Sequence, residues 1–570
     1  MIEKMTRYSF VLLAGGQEKF LEDLQELGVV DITRSERPVD ERSEKMLLEA
    51  EGLRKRISEI KAGSDAHMQE LKNGLDALRR EIEELEPWGE YDRKRLEGLG
   101  LGVHFYNVAR KLFDPSWAES YPLEIINEKA GRVWFVVLGD NSGFPAKEIP
   151  APSRSVAEVE TDLASKEEEI KAYSRELESL KTDIPEMERR LAEANSDLSR
   201  YLASQKGESA VQGHIVVFEG FAPEDGHERL SEALDGMDCW WSSEAAKVED
   251  QPPIEFRNNR FVRMFEPLTD MYGRPAYDGF DPTPFISIFF LLFFAMCMGD
   301  MGYGLLLIVV GFLLKKVKSF SNLAPLVVTL GIGTVVVGFF FHTFFSMDIS
   351  QWECIPKSLK SVMVPATVAG YDGTMVLSLA IGIVHLCLAM IVKTVMATKN
   401  QGFIESLGTW GWTLLIVGGV VLAMVAVMGI IDAKVTKIAV IALGVICAIG
   451  IFPLNNIHRH PLKNVGSGLW DTYNMATGIL GDVLSYLRLY ALGLAGAMLG
   501  FAFNDLAKMA LGDGGARWIA FILIVVIGHT LNLAMAALGA FVHPLRLNFL
   551  EFFKNSGYEG AGRKYNPLSK

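Results

Sequence analysis

Beyond Asp281 the chain becomes a succession of apolar runs, among them PFISIFFLLFFAMCMG and WTLLIVGGVVLAMVAVMGII. Runs of that length and purity fold as membrane-spanning helices rather than as a water-soluble core. One run, GDVLSYLRLYALGLAGAMLG at 481–500, carries Arg488 in its middle. A guanidinium keeps its charge at any ordinary pH, and seating one at bilayer depth costs about 2.5–3.5 kcal/mol even on a lenient insertion scale. Either a buried carboxylate such as Asp482 or Asp300 pairs with it and ties helices together, or the charge itself has a use.

The overall composition, 49% hydrophobic over 570 residues, hides a division at about Asp281. The first half is rich in Glu, Lys and Arg and holds most of the net charge of −14, which argues against nucleic acid as a partner. Its opening apolar stretch, SFVLLA, is too short for the hydrophobic region of a signal peptide, so this half is expected in the cytoplasm. Five scattered cysteines form neither a metal spacing nor a disulfide framework.

Two stretches in the first half show apolar positions at alternating spacings of three and four. One is Met68, Leu71, Leu75, Leu78, Ile82 and Leu85; the other runs from Ile170 through Leu177, Ile184, Leu191 and Leu198 to Tyr201. With charged residues elsewhere, this is a coiled-coil seam, loosened or kinked at Gly63, Gly74 and Pro185. Between the stretches, LGVHFYNVA and RVWFVVLG read as strands. Residues 7–33 read strand, helix, strand, and 213–241 repeat the start of that pattern. LLAGGQ lacks the lysine and hydroxyl residue of a phosphate loop and reads as a tight turn, and nothing else suggests a nucleotide site.

The expected architecture is therefore a multi-domain membrane protein. Residues 1–281 form a cytoplasmic antiparallel coiled-coil arm, about 40–98 with 155–205, bearing two small α/β lobes, 99–150 and 1–39 plus 207–250. Residues 282–570 form an all-α bundle of about eight spans, at 283–299, 301–316, 323–347, 374–397, 409–431, 435–454, 469–508 and 517–553. The first two are short and meet at GDMGYG, so one long interrupted helix is the alternative; loop charge favours eight. Inner loops then hold Lys315, Lys316, Lys318, Lys393, Lys399, Arg459 and Lys463, and the cytoplasmic tail Lys554, Arg563 and Lys564. Outer loops balance Asp348 and Glu353 against Lys357 and Lys360, and Asp505 and Asp513 against Lys508 and Arg517. The last two spans are nearly twice the roughly 20 residues needed, so they tilt or project.

At about 100° per residue, Trp470, Asn474, Thr477, Gly481, Leu484, Leu492, Ala495 and Leu499 share the face of Arg488. That face is apolar after Arg488 and hydrophilic before it, with Asp471, Asp482 and Ser485 flanking. On the last helix His529, Asn532, Gly539, His543 and Arg546 form a polar stripe, and Pro544 frees the carbonyl of Ala540. Either histidine alone would be a packing residue; aligned with an arginine and an asparagine they border a wet or proton-conducting cavity. Arg546 lies near enough to the inner end to snorkel.

GDVLSYLRLYALGLA, AFVHPLRLNFLEFF and DPTPFISIFFLLFFAMCMGDMGYG closely resemble subunit I (subunit a) of the archaeal and bacterial A/V-type rotary ATPases, and the resemblance extends over the whole chain. It implies an arm that binds peripheral stalks and a membrane half that faces a ring of proteolipid c subunits. It also implies a ring-capping central-stalk subunit, a catalytic A/B head reached indirectly, and no catalytic site or cofactor on this chain. Arg488 matches the family's essential arginine and Arg546 its second arginine. Eukaryotic relatives often carry histidine where this chain has Gly496, and glutamate where it has Ala536. Their half-channel carboxylates do not transfer, and Asp482, His543 and His529 stand as substitutes beside Ser485, Asn474 and Asn532. The ion, H⁺ or Na⁺, is set by the ring. A secondary transporter would show internal repeats and paired broken helices, and only GDMGYG is interrupted. A membrane tether for coiled-coil partners would leave Arg488 and the histidines without purpose.

Overall fold

The computed structural model of the chain describes residues 1–34, 38–89, 102–141, 143–151, 154–210, 214–317, 320–351, 356, 360, 363–365, 367–368, 370–453, 461–510 and 515–569. The loop residues Lys318, Glu353, Lys357, Arg459 and Asp513 lie outside them, as do 90–98 of the arm. The chain forms two compact units. They do not part at 281: one comprises Met1–Phe10, Val29–Asp31 and Glu219–Pro567, the other Val11–Gly28, Ile32–Phe218 and Leu568–Lys570. The first unit is larger than the expected membrane half because its parts bond to one another. The Met1 amine pairs with Asp281 at 2.5 Å, and Ile254 donates to the carbonyl of Arg563 at 2.7 Å.

Strands β1 (Met5–Leu13), β2 (Asp31–Ile32) and β8 (Ile215–Pro223) flank the arm in the sequence. With β7 (Glu208–Ala210) paired to β8 and β9 (Trp240–Ala245) beside β1, they make one sheet of order β2-β8-β1-β9. β1 leads through a 3-10 turn at Ala14–Gly16 into α1 (Gln17–Leu27), and β8 through a similar turn into α6 (His227–Asp235). Two such strand–helix–strand halves in this order are the ferredoxin-like arrangement, with the whole arm inserted between them. LLAGGQ is that first turn.

In the second unit the arm consists of α2 (Glu41–Ala62), α3 (Ala66–Leu85), α4 (Val156–Leu180) and α5 (Ile184–Ser204). Asp40 and Ser155 start α2 and α4 with capping boxes. Antiparallel register is fixed by Tyr201 on Asp40 at 2.5 Å, Lys61 on Glu188 at 2.7 Å and Arg79 on Glu167 at 3.2 Å. The seam therefore pairs α3 with α4 and α2 with α5, so most of the Ile170–Tyr201 stretch faces α2 rather than Met68–Leu85. Both strands of the hairpin break at one level. Gly63 turns left-handed to end α2, and the Lys181–Asp183 turn ends α4, with Pro185 in the first turn of α5. At the tip of the arm, β3 (Val103–Ala109), β4 (Leu123–Lys129), β5 (Arg132–Leu138) and β6 (Glu148–Ile149) form a sheet of order β4-β5-β3-β6.

Eight apolar helices follow in the first unit among the described residues. They are α7 (Thr283–Met298), α8 (Met301–Leu314), α9 (Ala324–Phe340), α10 (Gly373–Gln401), α11 (Leu407–Val427), α12 (Ala433–Ile451), α13 (Pro461–Ala510) and α14 (Gly515–Arg546). Five reach spanning length, while α7, α8 and α9 are shorter. Gly333 of α9 meets Leu291 of α7, and Gly299 lies against Phe341, so α7 and α9 run parallel. Gly338 meets the backbone of Met301 and Gly311 meets Val328, so α8 runs antiparallel to both. GDMGYG is thus a reversal between two helices, with Gly299 left-handed at its corner, not an interruption of one. α9 stops at Phe340 rather than 347, because His342, Phe345 and Ser346 adopt left-handed backbone.

Asp65 holds the break in the arm. It caps α3 by accepting from the Met68 amide at 2.9 Å, and accepts from Tyr173 at 2.6 Å and Arg56 at 3.2 Å. The Tyr173 hydrogen bond, with that of Met68, holds the Asp65 carboxyl below its ordinary range. Such a depressed carboxyl adds stability above its unfolded-state range and loses it as pH falls through the folded one. Tyr173→Phe is expected to cost about 1–2 kcal/mol locally. Amide hydrogen exchange in the full chain should then accelerate around 60–70 at neutral pH, with a smaller further loss on acidification than the parent shows.

Candidate functional site

The site begins with one buried carboxylate. Asp300, at the N-cap of α8, accepts from the amides of Gly302 at 2.7 Å, Tyr303 at 3.2 Å, Phe345 at 2.9 Å and Ser346 at 2.6 Å. Four backbone donors satisfy its oxygens and hold the left-handed Phe345–Ser346 turn against α8.

That anchor positions Tyr303. Its hydroxyl accepts from Asn532 at 2.8 Å and bonds His529 Nδ1 at 2.8 Å. Asn532 also donates to the carbonyl of Gly496 at 2.8 Å. His529 Nε2 meets Asn504 Oδ1 at 3.0 Å, while the Asn504 amide donates to the Phe345 carbonyl at 2.8 Å. Because Asn504 offers a carbonyl, Nε2 is the donor and Nδ1 accepts from the tyrosine. His529, Asn504 and Phe345 also line a cavity of ≈ 510 Å³ together with Lys508, Thr530, Phe521 and Leu533.

α13 and α14 run antiparallel. Gly528 lies on Phe503 and Gly539 on Leu492, and the same register one turn further places His543 opposite Arg488. The charges of both Arg488 and Arg546 act on the His543 ring. Arg488 Nη1 is buried and makes no hydrogen bond, and so is His543 Nδ1. Neither carboxylate named as its partner bonds to Arg488. Asp300 is saturated by amides, and Asp482 accepts from Asn555 at 2.7 Å and faces Lys554 at 3.7 Å.

A second polar cluster gathers at the Asp482 end. Past Arg546 the last helix widens into a π-helix at Leu547–Phe552, where Asn548 donates to the Pro544 carbonyl at 2.9 Å. The bulge carries Glu551 inward; it is 4% exposed, and its Oε2 is buried without a hydrogen bond. Glu551 lies within reach of the Ser485 hydroxyl and of the charges of Asp482 and Arg546. Ser485 and Gly496 are about 16 Å apart along α13. Only Leu489, Leu492, Arg488 and small residues separate the two clusters on this side of the helix.

The structure thus brings Asp482, Ser485 and Arg546 together at one end, His529 and Asn532 at the other, and Arg488 with His543 between them. Asn474 is not among them: it is exposed, about 21 Å along the helix from Arg488. Sequence reading missed Tyr303, Asn504, Glu551 and Asn555. A lone acid in the apolar NFLEFF was the available signal for Glu551.

Residues 153–354 and 472–570 match the model of the V-type ATPase 116kDa subunit family. The chain is 25% identical to a V-type ATP synthase subunit I of Chlamydia pneumoniae, over 88% of this chain and 84% of that one. It is 29% identical to an A-type ATP synthase subunit I of Pyrococcus horikoshii, over 76% and 64%. A V-type ATP synthase subunit I of Borreliella burgdorferi is 23% identical along both full lengths.

Tyr303→Phe deprives His529 and Asn532 of a shared partner, each in a buried setting. The loss is expected to be about 1–3 kcal/mol, read as a lower melting temperature of the detergent-solubilised chain. Thr530→Val, on the cavity wall outside the network, should leave that temperature unchanged.

Proposed function

Because the chain belongs to the V-type ATPase 116kDa subunit family, we propose that it is the membrane stator subunit of a rotary ATPase or ATP synthase. In this reading its membrane helices form two ion half-channels against a ring of proteolipid c subunits. Its arm anchors peripheral stalks, and the nucleotide chemistry takes place in a separate catalytic head. All eight apolar helices cross the cell membrane, with the arm and the C-terminus cytoplasmic. The Asp482–Glu551 cluster lies on the cytoplasmic path and the Tyr303–His529–Asn532 network on the outer one.

The observation that carries this reading is Arg488. It has a buried, unbonded guanidinium nitrogen, sits between two separate polar clusters, and has no carboxylate partner among the described residues. A ring carboxylate crossing lipid must be neutral or ion-bound, since an unpaired charge is too costly there. Beside a fixed cation its ionised form is favoured, so it releases its ion into one path and is reloaded from the other. The same cation repels ions that would leak directly between the paths. Rotation is then the only route across. An amine in that setting could lose its proton; a guanidinium does not.

Arg488→Lys and Arg488→Ala are both expected to insert, to co-purify with the ring and head, and to lose at least tenfold in ATP-driven ion uptake. Stability should change little, since removing a buried charge relieves its desolvation. A lysine variant that transports well would defeat the proposal. Running the assay with and without Na⁺ identifies the ion.

His543→Leu should leave assembly intact while slowing uptake several-fold and altering its pH profile. An unchanged rate and profile would reduce His543 to packing.

A further inference from the structure

Arg488 and Tyr486 are about 200° apart around α13, so they occupy nearly opposite faces. Tyr486 points into the bundle and is fully buried. Its hydroxyl bonds Nδ1 of His385 on α10 at 2.9 Å. His385 is itself fully buried, stacked 4.7 Å from the Phe552 ring at 6° and 4.1 Å from that of Phe289. Phe293 lies 5.8 Å from the Tyr486 ring. Gly382, one turn before His385, lets that ring approach the α10 backbone; any Cβ there would strike it.

This placement is costly without a purpose. His385 Nε2 is buried without a hydrogen bond, so the imidazole gives up one of its two polar contacts. Phenylalanine would fill the same aromatic box with no unpaired nitrogen. The ring's remaining capability is the directional bond to Tyr486. Within one turn of Arg488 the inner side of α13 is otherwise Leu489 and Gly493, which pack but do not fix an angle; the directional bonds at Asp482 and Gly496 lie more than a turn away on either side.

We propose that His385 is a positioning residue: its bond to the Tyr486 hydroxyl sets the rotation of α13 that presents Arg488 between the two polar clusters. The proposal rests on the reading that Arg488 separates two half-channels. Geometry gives it leverage. The hydroxyl lies some way beyond the roughly 2.3 Å helix radius, so turning α13 by about 20° moves it about 3 Å and breaks the bond. The same turn would swing the guanidinium by a similar distance. A 50-residue helix pushed sideways by a turning ring needs such a stop. The π-helix shares it, since Phe552, the partner of His385, directly follows Glu551.

The test uses the assembled complex in membrane vesicles, with four variants: Tyr486→Phe, His385→Phe, the two combined, and Arg488→Ala. Three quantities are read: co-purification with the ring and head, melting temperature, and ions taken up per ATP hydrolysed. Tyr486→Phe is expected to assemble and to keep its KM for ATP while losing at least fivefold in ions per ATP. The double variant has no unpaired polar group in the box. It should recover melting temperature relative to either single variant, yet remain uncoupled. Full coupling in Tyr486→Phe, or coupling that returns with stability in the double variant, would overturn the proposal. In those cases Arg488→Ala still uncouples and the half-channel reading stands. If Arg488→Ala couples normally, that reading fails and this one with it.

Discussion

On the half-channel reading, the membrane half is arranged around a charge that cannot be neutralised. A guanidinium at bilayer depth is tolerable only when its surroundings are rigid and partly polar, since neither lipid nor a shifted protonation state can relieve it. The helices near Arg488 meet both conditions. α13 and α14 are locked in antiparallel register by glycine contacts and by Asn532 on the Gly496 carbonyl. The two carboxylates weighed as its partners are engaged elsewhere, Asp300 by four amides and Asp482 by Asn555 and Lys554.

The distribution of polar groups follows from that lock. Where α14 keeps regular geometry, its stripe of His529 and Asn532 meets Tyr303 and Asn504 in a hydrogen-bonded network. Where Pro544 removes an amide, the helix loosens into the π-turn, and Asn548 and Glu551 rotate inward. A single irregularity in one helix thus separates a cluster built on neutral histidine, asparagine and tyrosine groups from one with an unbonded buried carboxyl oxygen.

Much of this was legible in the sequence because it is periodic. The heptad spacing of Met68–Leu85 and of Ile170–Tyr201 fixes which faces are buried, but not which segment pairs with which. Partner choice came from Asp65–Tyr173 and Lys61–Glu188, contacts between residues more than a hundred positions apart. The stripe of His529, Asn532 and His543 follows from regular helix geometry, which the sequence spacing alone supplies. Tyr303, Glu551 and His385 were not legible, for three different reasons. Tyr303 sits in GDMGYG, where the turn and not the residue drew notice. Glu551 is placed by a π-bulge, which breaks the 100° rule used to assign faces. His385 is a lone histidine on an apolar helix, a pattern that carries no signal until its neighbours are known. Asn474 shares the wheel position of Arg488 but lies about four turns from it along α13, so the shared azimuth does not bring the two together.

Glycine explains how so long a helix is held without many side-chain bonds. Gly493 of α13 lies against the Met296 carbonyl and Gly500 against the Ser346 and Asn532 side chains, places that a Cβ would crowd, whereas Gly496 meets Asn532 at ordinary contact distance. In a water-soluble helix each would cost about 1 kcal/mol relative to alanine. In a bilayer, where helix association draws little from the hydrophobic effect, close backbone packing recovers it. By the family resemblance, Gly496 stands where eukaryotic relatives often carry histidine. In this chain Gly496 yields its carbonyl to Asn532 of α14 at 2.8 Å, and the polar stripe at this level runs down α14 through His529, Asn532 and His543.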